Sequence, residues 1–209
     1  MKVHEFGDPE AQKILLQMVD DHDLEGIERE VQTLSESTSE AFRLIAVKVR
    51  DWNYDLSPWK APAVFGNADF GDGAEDMLKS VLELCQDPGK YYYIGGYSLA
   101  GLFALWAAYQ TDLFLGVAAA SPSIWFPGFT DYMKEHTLLA RRVYLSLGDK
   151  EPRTRNPIMS TVGQKIEEAH GILTEHETNC FFEWNRGNHF AEPDIRTAKA
   201  FAWVLGEKK

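Results

Sequence analysis

One short segment constrains the fold of this chain more than any other: residues 96–101, of sequence GYSLAG. An apolar run at residues 91–94 precedes it, and a longer run of small and apolar residues, 99–109, follows it. The first run has the character of a buried strand, and the second is apolar on all sides, as a buried helix is. The segment between them is therefore predicted to be a sharp strand-to-helix turn with a serine at its apex.

A turn of this kind holds Ser98 in strained backbone geometry with its hydroxyl above the sheet, which is the layout of a nucleophile elbow. Side chains two residues either side of the serine meet neighbouring backbone unless they are small, and Gly96 and Ala100 satisfy that demand. The backbone N–H of Leu99, at the start of the following helix, is placed to donate to an oxyanion. The pattern predicts a serine hydrolase, and the alternative is a turn serine that caps a buried helix.

Length and composition bound the class of protein. With 209 residues, 44% of them hydrophobic and 25% charged, the chain is predicted to form a single soluble domain over residues 1–209. A net charge of −11 argues against a nucleic-acid or anionic-membrane surface. The N-terminus lacks the apolar core of a signal peptide, and no apolar run reaches transmembrane length, so a cytoplasmic location is expected. Residues 1–11 are interpreted as a flexible N-terminal extension.

Strand and helix patterns alternate along the chain. Six apolar or β-branched runs predict strands at residues 14–19, 43–49, 91–95, 115–120, 143–147 and 180–184. Helical spacing of apolar residues predicts helices near residues 24–34, 74–85, 99–109, 158–173 and 193–205. This alternation predicts an α/β fold with about six mainly parallel strands and helices on both faces. Residues 51–73 are predicted to form a long loop near the active edge of the sheet.

Three candidate catalytic side chains follow strands at that same edge, because sites of parallel sheets lie beyond the carboxyl ends of the strands. Ser98, one of two acids and His189 each follow a strand, in the chain order that α/β-hydrolases use. Ser98 is the predicted nucleophile, and His189, whose imidazole suits proton transfer near neutral pH, is the predicted base. Glu151 is favoured as the acid by a Gly-x-x-acid spacing, with Asp149 as the alternative.

An acidic segment, residues 20–23, follows the first predicted strand. In this topology a backbone N–H of Asp20 or Asp21 could be the second oxyanion donor, and His22 could contact the substrate. Three carboxylates and a histidine also suggest a divalent metal ion, but no partner cluster such as His-x-His occurs elsewhere. We therefore expect no metal ion here, and a solvated loop that leads into a helix with Asp23 as its N-cap.

Four motifs together resemble the esterase family of α/β-hydrolases that includes esterase D, also called S-formylglutathione hydrolase, and the enterochelin esterases. The motifs are GYSLAGLF, ASPS, GDKE and GNH, at residues 96–103, 120–123, 148–151 and 187–189. The resemblance follows the order of elements over residues 12–206. It implies an α/β-hydrolase fold and hydrolysis of carboxylic esters, with thioesters as a further class, through an acyl-enzyme. Residue by residue, it makes Ser98 the nucleophile, His189 the base and Glu151 the acid.

The chain departs from the pattern of that family in three places. Ala100 stands where the family usually has glycine, and residues 19–22 lack the glycine often found at the oxyanion position. The N-terminal strands that usually precede the first strand are also expected to be absent. The resemblance therefore implies a trimmed version of the fold.

Aromatic residues after the second and fourth predicted strands are candidates for the substrate pocket. Trp52 and Trp125 lie nearest to strand ends and are the predicted substrate contacts. Trp59 and Phe65 could line the pocket, but a role in attaching the long loop to the body of the protein is at least equally consistent with their position. Residues 121–123 could line the pocket, but they are interpreted first as a turn.

The expected partner is a small-molecule ester, with no cofactor, nucleic acid or membrane, and a homo-oligomer is left open. Two other functions also stay open: acyl transfer by the same machinery, and a non-catalytic binding protein with this fold. An acyltransferase would pass the acyl group to an alcohol in place of water, whereas a binding protein would not react with a fluorophosphonate probe.

Overall fold

The structure, a computed structural model, describes residues 2–206 of the chain. Within that range a single sheet contains seven strands: β1 (Lys2–Gly7), β2 (Lys13–Val19), β3 (Phe42–Lys48), β4 (Tyr91–Tyr97), β5 (Phe114–Ala120), β6 (Arg142–Gly148) and β7 (Asn179–Asn185). Their order across the sheet is β1-β3-β2-β4-β5-β6-β7. Strands β2 to β7 pair in parallel, and β1 runs antiparallel to β3. The prediction of a mainly parallel sheet is confirmed.

Strand β1 corrects the expectation of a flexible N-terminal extension. Its residues pair along their whole length with β3, from Lys2 opposite Lys48 to Gly7 opposite Arg43. The side chains of β1 are exposed or half-buried, as those of an edge strand bordering solvent are. A polar strand of this kind carries little hydrophobic periodicity, so the sequence pattern misses it. One strand therefore precedes β2, where we expected none because the chain departs from the family pattern there; residue 1 lies outside the described range.

Seven α-helices lie within the described residues: α1 (Asp21–Ser37), α2 (Trp52–Asp55), α3 (Ala74–Leu82), α4 (Leu99–Gln110), α5 (Phe129–Glu135), α6 (Val162–Glu175) and α7 (Pro193–Leu205), with a 3₁₀ turn at Met159–Thr161. Helix α7 packs on α1 and on strands β4, β5 and β6, whereas α4 packs on β4 and β5, and α6 on β6 and β7. Successive residues of β2 alternate between two buried clusters, one containing α4 and α6 and the other containing α1 and α7. The prediction of helices on both faces is confirmed.

Helix α4 is buried on every side. All of residues 99–109 are buried, which is the location that a run apolar on all sides predicts. The helix approaches the strands closely, because a Cβ atom on Gly101 would lie only 3.0 Å from the Gly96 carbonyl oxygen. This packing fixes the start of α4 relative to β4. Although α4 is apolar, no helix within residues 2–206 is long and apolar enough to cross a membrane.

The long segment 51–73 contains more regular structure than the sequence predicts. Helix α2 opens it, and Ala61 and Phe70 form an antiparallel bridge further along. The Trp59 Nε1 atom donates to the Pro127 carbonyl oxygen at 2.9 Å, and its ring packs on aromatic side chains of the neighbouring segment. Trp59 therefore attaches this segment to the body of the protein.

Candidate active site

The turn between β4 and α4 explains the small residues of its sequence. Strand β4 ends at Tyr97 and α4 begins at Leu99, with Ser98 between them at φ 56° and ψ −121°. A Cβ atom on Gly96 would lie 2.7 Å from the Ala100 Cβ, so a larger residue at position 96 does not fit. Ser98 occupies the N-cap position, but its hydroxyl makes no capping hydrogen bond within residues 2–206. The alternative of a simple capping serine therefore does not fit the structure.

Three side chains from separate loops meet at the carboxyl edge of the sheet. The Ser98 Oγ atom lies 3.0 Å from His189 Nε2, and His189 Nδ1 lies 2.7 Å from Glu151 Oε2. Because an ionised carboxylate only accepts hydrogen bonds, Nδ1 donates to Glu151 and Nε2 is left to accept from the serine hydroxyl. The Glu151 side chain is 5% exposed and that of His189 27%. The imidazole can thus remove a proton from Ser98 while a shielded carboxylate stabilises the positive charge.

The two acids of the GDKE motif have different partners. Asp149 Oδ1 accepts from the Gly187 N–H at 2.7 Å, and the Asp149 N–H donates to the Asn185 carbonyl at 2.8 Å. These bonds join the loop after β6 to the loop after β7, which carries His189. The structure therefore brings Glu151 to the imidazole and gives Asp149 a role in holding the loop.

The second carboxylate oxygen of Glu151 has partners that the sequence did not indicate. Among residues 2–206, Glu151 Oε1 accepts from Gly148 N at 2.8 Å, Ser121 Oγ at 2.9 Å and Arg196 Nη1 at 3.1 Å. The turn at residues 121–123 thus orients the acid as well as shaping the loop. The sequence signal that could have indicated this contact is Arg196, an arginine on the inward face of the last helix. A buried guanidinium needs an acidic partner, so it points to a buried carboxylate nearby.

A second hydroxyl lies beside Ser98. Ser123 Oγ is 3.2 Å from Ser98 Oγ, and the Ser123 N–H donates to the Ser98 carbonyl at 3.0 Å. Ser123 is 2% exposed, so its hydroxyl has little access to solvent. Imidazole is a far stronger base than a hydroxyl, so His189 is the neighbour suited to accept the Ser98 proton.

The two backbone N–H groups predicted as oxyanion donors, those of Asp20 and Asp21, differ in whether a hydrogen bond already occupies them. Asp20 Oδ1 accepts from Asp23 N at 2.8 Å, and the Asp20 N–H donates to Asp23 Oδ2 at 3.1 Å. This capping box makes Asp20 the N-cap of α1, which corrects the expectation that Asp23 is the cap. The bond also occupies the Asp20 N–H, so Asp20 does not fit the predicted role of oxyanion donor. Asp21 and Leu99 begin α1 and α4, where helices leave N–H groups without intrahelical partners.

The carboxylates of this segment have local partners. Asp21 contacts the Lys48 ammonium, whose hydrogen bond and charge hold the pKa of Asp21 below its usual value. Burial raises the pKa of Asp23 to about 6. The Lys48 ammonium offsets part of the repulsion that the Asp21 carboxylate would exert on a nearby negative charge.

His22 is exposed and lies 3.6 Å from Glu25 on the same turn of helix. It lines a cavity of 340 Å³ that Phe190, the residue after His189, also lines. The structure therefore places His22 near the rim of the site and gives it an exposed acidic neighbour. In the described part of the chain, no group of three histidine, cysteine or acidic side chains is arranged to hold a metal ion.

The predicted aromatic contacts lie in different surroundings. Trp52 lines a cavity of 660 Å³ together with Asp20 and Asp21, beside the end of β3. Trp125 is 7% exposed, and its ring packs edge-on against Phe65 with centroids 6.1 Å apart. Trp125 therefore serves mainly to pack the long segment, whereas Trp52 faces a space that a ligand could occupy.

Solved structures of esterases share this fold at low sequence identity. An enterobactin esterase from Shigella flexneri, solved in the presence of enterobactin, matches with a TM-score of 0.64 at 16% identity, over 97% of this chain and 54% of that chain. Acyl-protein thioesterase 2 from Zea mays matches with a TM-score of 0.61 at 14% identity, over 98% and 99% of the two chains. A ferulic acid esterase matches with a TM-score of 0.60 at 12% identity, over 94% and 85%. The sequence matches no protein-family model and no curated protein.

The chain therefore has an α/β-hydrolase fold of the kind found in esterases and a thioesterase. The resemblance indicated by the four sequence motifs is confirmed at the level of the fold. The chain spans about half the length of the enterobactin esterases that it matches.

Proposed function

We propose that this protein is a serine hydrolase that cleaves carboxylic esters, with thioesters as a second substrate class. One observation carries the proposal: the His189 imidazole lies within hydrogen-bond distance of Ser98 on one side and of Glu151 on the other. A fold shared with esterases supports the same reaction class. Acyl transfer between a serine and water by this arrangement needs no cofactor.

In the proposed reaction, Ser98 Oγ attacks the ester carbonyl carbon while His189 Nε2 takes the hydroxyl proton. Glu151 stabilises the imidazolium that forms. The carbonyl oxygen becomes an oxyanion, which accepts hydrogen bonds from the Leu99 N–H and the Asp21 N–H. The tetrahedral intermediate collapses, the C–O bond of the leaving alcohol breaks, and His189 returns the proton to that alcohol. Water then attacks the acyl-enzyme with the same base, which releases the acid and restores Ser98.

The substrate is proposed to be a small-molecule ester that enters beside Trp52. Trp52 and Asp21 line one cavity, so a group held there would lie near the residue that carries the proposed oxyanion donor. Substrate contact by Trp125 and His22 stays a prediction, because Trp125 is buried and His22 lines a different cavity from Trp52. The cytoplasmic location and the homo-oligomer remain predictions.

The proposal is tested by Ser98→Ala and by labelling with a fluorophosphonate. Turnover of a short p-nitrophenyl ester is expected to fall by about 10³-fold or more, because the nucleophile is lost. Peptide mapping is expected to find the label on Ser98, and Ser123→Ala, the matched hydroxyl deletion, should still be labelled there. Activity that survives Ser98→Ala would contradict the assignment. An added acceptor alcohol separates hydrolysis from acyl transfer, since transfer gives a new ester.

A further inference from the structure

Arg196, in the first turns of α7, is a buried charge with an unusual set of partners. Its side chain is 3% exposed. The Nη1 group donates to Tyr97 Oη at 3.0 Å, Ser121 Oγ at 3.3 Å and Glu151 Oε1 at 3.1 Å. A guanidinium stays charged at all ordinary pH values and presents its donors in a rigid plane. Arg196 therefore brings a permanent positive charge to the back of the acid that contacts His189.

The other arm of the guanidinium holds the loop that carries the histidine. Nη2 donates to the carbonyl oxygens of Arg186 at 3.2 Å and Asn188 at 3.1 Å. Tyr97 Oη, itself bound by Arg196, donates to the His189 carbonyl at 2.7 Å. Two backbone carbonyls that precede the imidazole are thus bound directly by one planar group, and the His189 carbonyl is linked to it through Tyr97.

The charge of Glu151 is shared between two partners. Oε2 faces His189, and Oε1 faces Arg196, so the guanidinium draws part of the carboxylate charge away from the imidazole. The same contact fixes the rotation of the carboxylate, because Oε1 also accepts from Gly148 and Ser121. Within residues 2–206, Arg196 makes no hydrogen bond to Ser98 and does not line the cavity beside Trp52, so its effect is exerted through other residues.

We propose that Arg196 is a positioning residue that holds Glu151 and the His189 loop as one unit and limits the negative charge available to the imidazole. The inference rests on the proposed function, since it concerns the same three side chains. A merely structural arginine would change the folded fraction alone. A positioning arginine also changes the pH dependence of the reaction and the hydrogen bond between His189 and Glu151.

The test compares Arg196→Met with Arg196→Lys in ester hydrolysis by folded protein. In Arg196→Met, kcat is expected to fall by about 10²-fold with KM little changed, because the base and acid lose their relative placement. In the pH profile of kcat/KM for Arg196→Met, the acidic limb, which reports protonation of the imidazole, should move to higher pH by about one unit. The reason is that the full Glu151 charge now stabilises the imidazolium. Arg196→Lys keeps the charge, so its limb should stay in place, while kcat falls roughly tenfold because an ammonium lacks the planar fork.

Two matched variants separate charge from hydrogen bonding and from helix stability. Ser121→Ala removes a neutral donor to the same Glu151 oxygen and should lower kcat by about fivefold or less without moving the limb. Lys199→Met removes an exposed cation on the same helix, 3.9 Å from Glu183, and should behave as the unchanged protein. A wild-type acidic limb and kcat in Arg196→Met would overturn the proposal, as would a loss explained by the unfolded fraction alone.

A second readout does not depend on ester hydrolysis. The downfield proton resonance of His189 Nδ1–H, assigned by its disappearance in His189→Gln, is expected in the unchanged protein and in Arg196→Lys. It should be broadened in Arg196→Met, because the loop that carries His189 loses its hydrogen bonds to the guanidinium. If Arg196→Met does not fold, Arg196→Lys decides the matter, and a wild-type kcat in that variant would overturn the proposal. Absence of turnover in the unchanged protein with an intact Arg196-dependent resonance would count against the proposed function and not against the positioning role.

Discussion

Two carboxylates on one short loop have different partners in this structure. Glu151 contacts the His189 imidazole, whereas Asp149 accepts from the Gly187 N–H and so joins two loops. Sequence spacing favoured Glu151 but left Asp149 open, because both follow β6 and either could reach a histidine at this edge. The direction in which each side chain turns depends on the opposite loop, which the local sequence does not describe.

Glu151→Gln and Asp149→Asn should therefore differ in their effect on catalysis. A glutamine amide carries no charge to stabilise the imidazolium and can favour the wrong tautomer, so kcat should fall by about 10²- to 10⁴-fold. Asparagine still presents an oxygen to the Gly187 N–H, so Asp149→Asn should lower kcat by roughly threefold or less. Steady-state hydrolysis of a p-nitrophenyl ester measures both. The reverse ranking would move the role of the acid to Asp149.

At the scale of elements, a buried polar pair joins α1 to the sheet. Gln17 on β2 donates to Glu30 on α1 at 3.2 Å, and the two residues are 2% and 3% exposed. Among residues 2–206, neither Gln17 Oε1 nor Glu30 Oε1 has a hydrogen-bond partner. Burial raises the pKa of Glu30 well above its usual value. A neutral Glu30 carboxyl carries an O–H donor, which this pair of oxygens otherwise lacks.

Glu30→Gln should raise the stability of the protein at alkaline pH. Because the folded pKa of Glu30 lies above the unfolded value, the contribution of Glu30 is full below the unfolded pKa and is lost as pH rises towards the folded pKa. The loss amounts to about 1.4 kcal/mol for each pH unit between the two values. Glutamine does not ionise, so the free energy of unfolding in urea should exceed that of the unchanged protein at pH 8, with the difference shrinking towards pH 4.

The exposed Glu28 on the same helix supplies the control. Glu28→Gln removes the same charge from α1 without touching Gln17, so its unfolding should follow the pH dependence of the unchanged protein. A Glu30→Gln variant that is destabilised equally at pH 4 and pH 8 would show that folding does not raise the pKa of Glu30.

The elements differ in how far the sequence predicts them. Strands β2 to β7 carry apolar runs, so their existence follows from hydrophobic pattern alone. Strand β1 is polar and lies at the edge, where pairing with β3 creates the strand without a buried face. The N-cap of α1 is Asp20 and not Asp23, because aspartates at both positions satisfy the capping preference and only the reciprocal hydrogen bonds decide between them.

At the scale of the whole molecule, the last helix completes the site. Helix α7 packs on α1 and on the three central strands β4, β5 and β6. It carries Arg196 near its start and Phe201, which is fully buried, further along. A Cβ atom on Gly95 of β4 would lie 2.7 Å from Phe201 Cζ, so the ring is seated directly against the strand that leads to Ser98.

Phe201→Ala should therefore destabilise the fold strongly. Removing a fully buried ring leaves a cavity between α7 and the sheet, and such changes cost about 3–5 kcal/mol. Denaturant unfolding followed by circular dichroism measures the loss, with Lys199→Met on the exposed side of α7 as the control, expected within about 0.5 kcal/mol. A loss below 1 kcal/mol in Phe201→Ala would show that α7 is not held through this ring.

The sequence by itself determined the alternation of strands and helices, the small residues around Ser98 and the order of serine, acid and histidine along the chain. These features are local: hydrophobic period, steric size and position after a strand can each be read from neighbouring residues. The tertiary structure decided which acid reaches His189, that the Asp20 N–H is engaged, and that Arg196 stands behind Glu151. Those outcomes depend on hydrogen bonds between residues far apart in the chain. The orientation of each side chain and its distance from its partner across the sheet edge are set only when the elements have packed.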